Sequence, residues 1–413
     1  MGVRSRSLVA SLAAACAGAV VIVACQSFSG TEPELIADAA ADGADLVDAA
    51  VDAPPDADAG ADMDASPAPK LGVTCPPPSG PKCALGGCPR RAIIAAPAVP
   101  EYPFDIATDA SSLYWTAQAA GDSGLDAYNG QAPARVLRHA KKAGGPAFEI
   151  AAAQPAARAI ALDGSYVYWT IHDPTRPGRG LGSPGVLRRA RRDCSTTPCA
   201  VEDLASIAGN VASLSRAREG ALVGVTEDGH VFVVDTTASP IGFNASATQV
   251  DTYPAIAVTN DAAYASSALV SRYVKRLDLT TGTVLPMFAA VPDGGAGADP
   301  GISPSTTDCD AVWGVRKQTS KRDLFRFAVD GGPAQVTALP TAISPFAMAA
   351  DASYVYFAVP DAGGVFAVDT HVGGALPEPI ATGNVWRLAV DSDGVYWGEH
   401  GTTAPGSITM LVK

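Results

Sequence analysis

The sequence lacks the signatures by which catalytic chemistry usually declares itself. No G-x-S-x-G, H-E-x-x-H, P-loop or dinucleotide-binding fingerprint occurs in a supporting context. The five histidines, His139, His172, His230, His371 and His400, are scattered without ligand spacing. The cysteines contain no C-x2-C pair and no paired histidines accompany them, which argues against zinc. No metal or cofactor is therefore expected. Basic residues form no stripe apart from Arg188-Arg189-Ala190-Arg191-Arg192, which reads as a solvated strand and turn, so a nucleic-acid partner is not expected.

What is present begins with a processing signal. Arg4 and Arg6 precede an uncharged Ala/Val-rich run, Leu8 to Ala24, which ends in Ile22-Val23-Ala24-Cys25. A charged start, an apolar run and small residues before a cut describe a secretory signal. The cysteine after Ile-Val-Ala resembles the lipobox of bacterial lipoproteins. That resemblance implies cleavage before Cys25 and lipidation of Cys25, and two or three acyl chains hold a protein on a membrane firmly. Gln26, rather than Asp, follows the cysteine. Under the enterobacterial sorting rule this implies the outer membrane, with the domain periplasmic or surface-exposed.

Residues 25–74 read as a tether. Eleven acids from Glu32 to Asp64 alternate with Ala, Gly and Pro, and only Lys70 opposes them, giving −10 of a chain total of −13. With no aromatic after Phe28, the segment cannot bury enough surface to offset its ordering entropy. A charged, Pro-rich chain of this length holds its domain roughly 40 Å from the anchor. The organisation expected is thus a signal peptide over 1–24, a lipidated acidic tether over 25–74 and a folded domain over 75–413.

The domain repeats itself. Ala-x-Asp-x-x-x-Val-Tyr-Trp-like strings run from Ile106 to Trp115, Ile160 to Trp169, Ala349 to Phe357 and Ala389 to Trp397, each with Ala seven residues before Tyr. Weaker copies keep that spacing from Ala257 to Tyr264, Ser305 to Val312 and Ser215 to Leu222. The equivalent positions 114, 168, 222, 264, 312, 356 and 396 lie 40 to 54 residues apart, a period that suits four-stranded units of a propeller. Each unit reads as a short apolar strand, an Asp turn, a strand with Val and Trp on one face and Tyr on the other, and two further strands. The seventh unit stops after its third strand, Ser407 to Val412, and the run Arg91 to Ala96 supplies a fourth. The expected fold is all-β: a seven-bladed β-propeller whose N-terminal strand closes the last blade, with six or eight blades as the alternatives.

Six cysteines remain after Cys16 and Cys25 are set aside. Cys83–Cys88 and Cys194–Cys199 share a C-x4-C spacing just before a fourth strand, and local disulfides are expected there. Cys75 and Cys309 are left over, with their pairing open.

The repeat Asp residues, Asp109, Asp163, Asp351 and Asp391, lie in first turns and read as turn formers rather than catalysts. A binding rim is expected on the opposite side, where the long or polar loops of units one, two and seven become neighbours in a closed ring. Asp122, Asp126, Tyr128, His172, Asp173, Arg176, Glu399 and His400 lie on those loops. The other reading of the same loops is variable, solvated insertions.

Leu113-Tyr114-Trp115-Thr116 and Val167-Tyr168-Trp169-Thr170 resemble the YWTD-type propellers, and more loosely NHL- and TolB-type propellers. Ala117 and Ile171 stand where the YWTD Asp would be, and YWTD rings have six blades, so that family's ligands do not carry over. The overall layout is similar to lipoproteins of high-GC bacteria such as myxobacteria. The function expected is a monomeric, non-catalytic scaffold binding an envelope protein or glycan. The alternative is a propeller-type lyase or glycan hydrolase with its site at the channel mouth; fold alone does not choose.

Overall fold

The computed structural model describes residues 88–94, 101–119, 133–142, 145–172, 184–218, 220–238, 242–249, 254–259, 261–267, 273–281, 284–290, 301–307, 311–317, 322–329, 334–341, 343, 345–360, 363–399 and 406–413. Among these residues all regular structure is strand, with no helix, arranged as seven four-stranded antiparallel sheets. Sheet one comprises Glu101–Thr108, Ser112–Ala119, Pro133–Ala140 and Phe148–Pro155. Sheets two to six follow along the chain over residues 160–207, 211–249, 254–290, 301–339 and 347–381. Sheet seven contains Val385–Val390, Gly394–Glu399 and Ser407–Val412, and its fourth strand is Arg90–Ile94. The run expected to supply that strand does so, with Arg90 opposite Leu411 and Ile94 opposite Ile408.

The seven-residue spacing has a direct cause. Ala107, Ala161, Ala257, Ala349 and Ala389 each stand opposite the Tyr seven residues on, across the hairpin between first and second strands. A small residue facing a large one is what a cross-strand pair accommodates best at close range. The two Ser copies do not share this register. Ser215 faces Val223, because a bulge between Arg216 and Arg218 shifts the pairing; Ser305 faces Gly314, because the seven-residue pair in that hairpin is Thr306 with Trp313, one residue further on.

The Asp turns are built as their sequence suggests. In Asp163, Asp351 and Asp391, Oδ1 accepts the N–H groups two and three residues on, at 2.7–3.1 Å. The Tyr hydroxyl of the same unit also donates to the carboxylate, from Tyr168, Tyr356 and Tyr396. These turns define one rim, here the turn rim. The connections from second to third strand, and from one sheet to the next, define the opposite loop rim.

Second-strand side chains alternate between neighbouring sheets. Trp169 packs with Tyr114, Val136 and Ile150 of sheet one, whereas Tyr168 packs with Leu214, Leu222 and Phe232 of sheet three. Seven buried apolar clusters fill the spaces between successive sheets, and one joins Tyr396, Ile408 and Met410 of sheet seven to Ile106, Trp115 and Leu137 of sheet one. The first strands of successive sheets are neighbours, including that of sheet seven beside that of sheet one. Each aromatic removed from water contributes about 5 kcal/mol before ordering costs. Gly398 follows the Trp of sheet seven because Pro103 of sheet one lies against it; a Cβ there would sit 2.8 Å from the proline ring.

Ionic clamps join sheets at the turn rim. Lys141 pairs with Asp391 of the preceding sheet, Arg192 with Asp109, and Lys413 with Asp351. Each cation sits one residue past a third strand and also lies over the Tyr ring of the unit it clamps. The basic run at 188–192 is a strand and turn as expected, with Arg191 59% exposed, but its cations are paired. Arg188 pairs with Asp203, Arg189 with Glu202 and Arg191 with Asp193, while Arg192 reaches back to sheet one.

Of the expected disulfides, Cys194–Cys199 is present. It lies beside sheet one, where the Cys199 N–H donates to the Ile150 carbonyl. Cys88 is disulfide-bonded. Cys25, Cys75, Cys83 and Cys309 lie outside the described residues.

Candidate functional site

Four large side chains gather near the loop rim at the starts of the innermost strands of sheets one, six and seven. Phe104 has no cross-strand partner, because Pro103 pairs with Ala117 and Asp105 with Thr116. Trp386 likewise falls at a shift of register, between Val385, opposite Glu399, and Arg387, opposite Gly398. Both are bulge residues, and a bulge re-aims the side chain it carries. Phe346, just before the first strand of sheet six, meets Trp386 edge to face, with ring centroids 4.8 Å apart. The Arg387 guanidinium lies over both Phe104 and Phe346, at 5.6 and 5.1 Å.

Below these rings a polar layer joins sheets one and two. Asp105 accepts the N–H groups of Ile106 and Ile160, each at 3.0 Å. Burial raises the pKa of Asp105 above the usual carboxylate range, against the opposing pull of the Arg387 charge and the two N–H donors. Thr116 Oγ1 donates to the Arg158 carbonyl at 2.7 Å and accepts the Asp105 N–H. Gln118 donates to the Ala157 carbonyl and accepts from the Tyr102 hydroxyl.

Beside this layer Arg158 and Glu227 form an ion pair between sheets two and three, with both side chains 6% exposed. Asn210 donates to the second Glu227 oxygen at 3.2 Å. His172 adjoins this pair. Burial and then the Arg158 charge push its pKa down to about 4, against the opposing Glu227 charge, so it is neutral at pH 7. Its Nε2 is buried without a hydrogen-bond partner.

These groups are held in ways that serve structure. The carboxylates of Asp105 and Glu227 are engaged by N–H groups and a guanidinium, and the repeat Asp residues by their turns and clamps. Among the described residues no three His, Cys, Asp or Glu side chains form a group able to hold a metal ion.

The architecture has clear counterparts. The chain is similar to the β-propeller domain of the Trilobed protease from Pyrococcus furiosus, at 12% identity and TM-score 0.51, covering 75% of this chain and 93% of that one. It is similar to the WD40 β-propeller domain of Doa1, at 10% identity and TM-score 0.53, covering 78% and 97%. It is also similar to YCF48 from Cyanidioschyzon merolae, at 12% identity and TM-score 0.53, covering 78% and 98%. The fold is of the β-propeller type. No protein-family model matches the chain, and no curated protein matches it by sequence.

Of the residues expected on the propeller's binding rim, His172 and Glu399 are described, and both lie at the loop rim. His172 sits beside Arg158 and Glu227. Glu399 accepts from Trp397 Nε1 at 3.0 Å and from the Thr409 and Ser407 hydroxyls. Asp122, Asp126, Tyr128, Asp173, Arg176 and His400 lie outside the described residues. Phe104 and Trp386 escaped the sequence reading because bulges break the alternation by which strand faces are read, and Phe346 because it lies just outside its strand.

Proposed function

We propose that this protein is an exported, lipid-anchored, seven-bladed β-propeller that acts as a non-catalytic binding scaffold for an envelope protein or glycan. Closure into a seven-membered ring is supported by seven apolar interfaces for seven sheets, since an open row of seven would have six. It is supported also by the pairing of Arg90–Ile94 with Ser407–Val412. A binding role rather than a catalytic one rests on one observation: among the described residues, two buried carboxylates near the loop rim are committed to joints between sheets. Glu227 is locked to Arg158 and Asn210, and Asp105 to two backbone N–H groups. A rigid ring carrying loops is a platform for recognition. YCF48 has been solved with the D1 peptide bound and shares the architecture at 9% identity and TM-score 0.53, which favours a protein partner without identifying one. The anchor is carried by the Ile22-Val23-Ala24-Cys25 motif.

Two measurements test this reading. Metabolic labelling with an alkynyl fatty acid should tag the native chain and not Cys25→Ser; equal labelling refutes the anchor. Affinity capture from the native envelope with the full mature chain should enrich a saturable partner. Turnover of envelope glycans by the purified chain would overturn the non-catalytic reading.

A further inference from the structure

The seven joints between sheets are not built alike. One second-strand residue of each sheet packs onto the preceding sheet, and its size changes from joint to joint. It is Trp115 where sheet one meets sheet seven, Trp169 where two meets one, Phe357 where six meets five and Trp397 where seven meets six. In sheets three, four and five it is Leu222, Ala265 and Val312. Among the described residues the cluster between sheets three and four holds no aromatic, only Ala, Val, Ile and Leu. A Trp in place of an Ala removes far more apolar surface from water, so these joints differ in strength.

The ionic clamps follow the same division. Lys141, Arg192, Thr236, Leu279, Thr370 and Lys413 each stand one residue past a third strand, and each donates its N–H to a carbonyl in the first turn of its own sheet. The backbone place is therefore shared and the side chain alone varies. Lys141, Arg192 and Lys413 reach the turn Asp of the preceding sheet, fastening one to seven, two to one and seven to six. Thr236, Leu279 and Thr370 carry no charge, nor does Val329 at the corresponding place in sheet five. Asp163 of sheet two has the turn and the Tyr hydroxyl of the clamped Asp residues, yet the clamp position of sheet three is Thr236.

The cysteines fall on the fastened side as well. The Cys194–Cys199 loop of sheet two is held on sheet one by the Cys199 N–H on the Ile150 carbonyl and by Arg138 on the Cys194 carbonyl. Disulfide-bonded Cys88 is buried in the cluster between sheets six and seven. This reinforcement surrounds the one sheet assembled from distant parts of the chain, where no hairpin joins Arg90–Ile94 to Ser407–Val412. Aromatic, cation and cysteine occupy separate positions of the repeat, and all three gather on the joints from six to two.

We propose that the ring has a preset opening joint between sheets three and four: sheets three to five part from one another first, while sheets six, seven, one and two stay together as a fastened arc. This rests on the ring closure proposed above and is independent of the binding role.

The test is native-state hydrogen exchange of the full mature chain at pH 7, read by mass spectrometry. Second and third strands are compared, because each is paired on both sides within its sheet. Amides of Ala221–Thr226, His230–Asp235, Ala262–Ser267 and Tyr273–Asp278 should exchange about tenfold or more faster than those of Ser112–Ala119, Pro133–Ala140, Gly394–Glu399 and Ser407–Val412. Lys141→Met, which removes the clamp between sheets seven and one, should speed exchange in the second set and leave the first unchanged. An unchanged second set overturns the clamp's part in the asymmetry. Should the variant fail to fold, the comparison within the unmutated chain still decides. Equal exchange in both sets, or faster exchange in the second, overturns the preset joint, and the ring stands if Arg90–Ile94 is protected. Unprotected amides in Arg90–Ile94 refute the ring closure itself, and the proposal with it.

Discussion

The clamp between Lys413 and Asp351 makes an asymmetric prediction. The two side chains are 2% and 8% exposed, so both charges are largely removed from water. Asp351 has other donors: Ser353 N–H and Tyr354 N–H, each at 2.8 Å, and the Tyr356 hydroxyl at 3.0 Å. Lys413 Nζ has the Asp351 carboxylate and the Asp391 carbonyl, so its charge is balanced by a single carboxylate. Asp351→Ala therefore leaves a buried ammonium uncompensated and should cost about 3–5 kcal/mol. Lys413→Met removes the cation but leaves a carboxylate with three donors and an apolar stem in place, and should cost about 1–2 kcal/mol. The double variant should be less destabilised than the sum of the two, by about 1–2 kcal/mol. Urea unfolding at pH 7, followed by tryptophan fluorescence, reads all three provided the slope of the transition is unchanged. If Lys413→Met costs as much as Asp351→Ala, the cation is not the stranded partner and the account of the clamp is wrong.

Other outcomes follow from the same geometry. Asp109 is held below its usual pKa; burial opposes its ionisation, but hydrogen bonds from Ser111 and Ser112 and the Arg192 charge outweigh it. Its depressed pKa contributes stability above the unfolded carboxylate value, lost as pH falls through the folded value, so Arg192→Met should raise the acid-unfolding midpoint seen by near-UV circular dichroism. For His172 the unfolded chain binds a proton below pH 6.5 and the folded one only near 4, so stability falls with pH across that window. His172→Gln should flatten that fall in urea titrations between pH 7 and 4, and an unchanged slope would show that His172 is not its source. Opening the Cys194–Cys199 bridge with Cys194→Ser should lower stability by about 2 kcal/mol, read as a shifted urea midpoint. Deleting residues 75–94 exposes the edge of Ser407–Val412 and should produce association visible by size-exclusion chromatography, with a lowered melting temperature.

The repeat was legible because a hairpin of fixed length puts Ala opposite Tyr, and a pairing rule of that kind survives in sequence as a spacing. It misled at Ser215, where a bulge alters the register without altering the spacing, and at Ser305, where the equivalent pair is Thr306 with Trp313, one residue along. The turn Asp residues could be read because they bond to their own next residues. Their clamping cations could not, since Lys141 and Asp391 are 250 residues apart and meet only where sheet one adjoins sheet seven. Once third strands are known, however, the residue one step beyond each becomes the place to look. The aromatic cluster at the loop rim was illegible for a related reason: Phe104 and Trp386 fall out of the strand pattern.

The strand Arg90–Ile94 has a consequence in time. Its partner, Ser407–Val412, is the last strand of the chain, so a polypeptide delivered N-terminus first brings out the fastening long before the edge it fastens to. Until residues 407–412 follow, Arg90–Ile94 is an unpaired edge, and the contact between sheets one and seven cannot form. Pairing of such long sequence separation is slow and exposes edges meanwhile. Exposed Arg90 at its head places charge on that waiting edge, a feature that discourages pairing with the wrong strand.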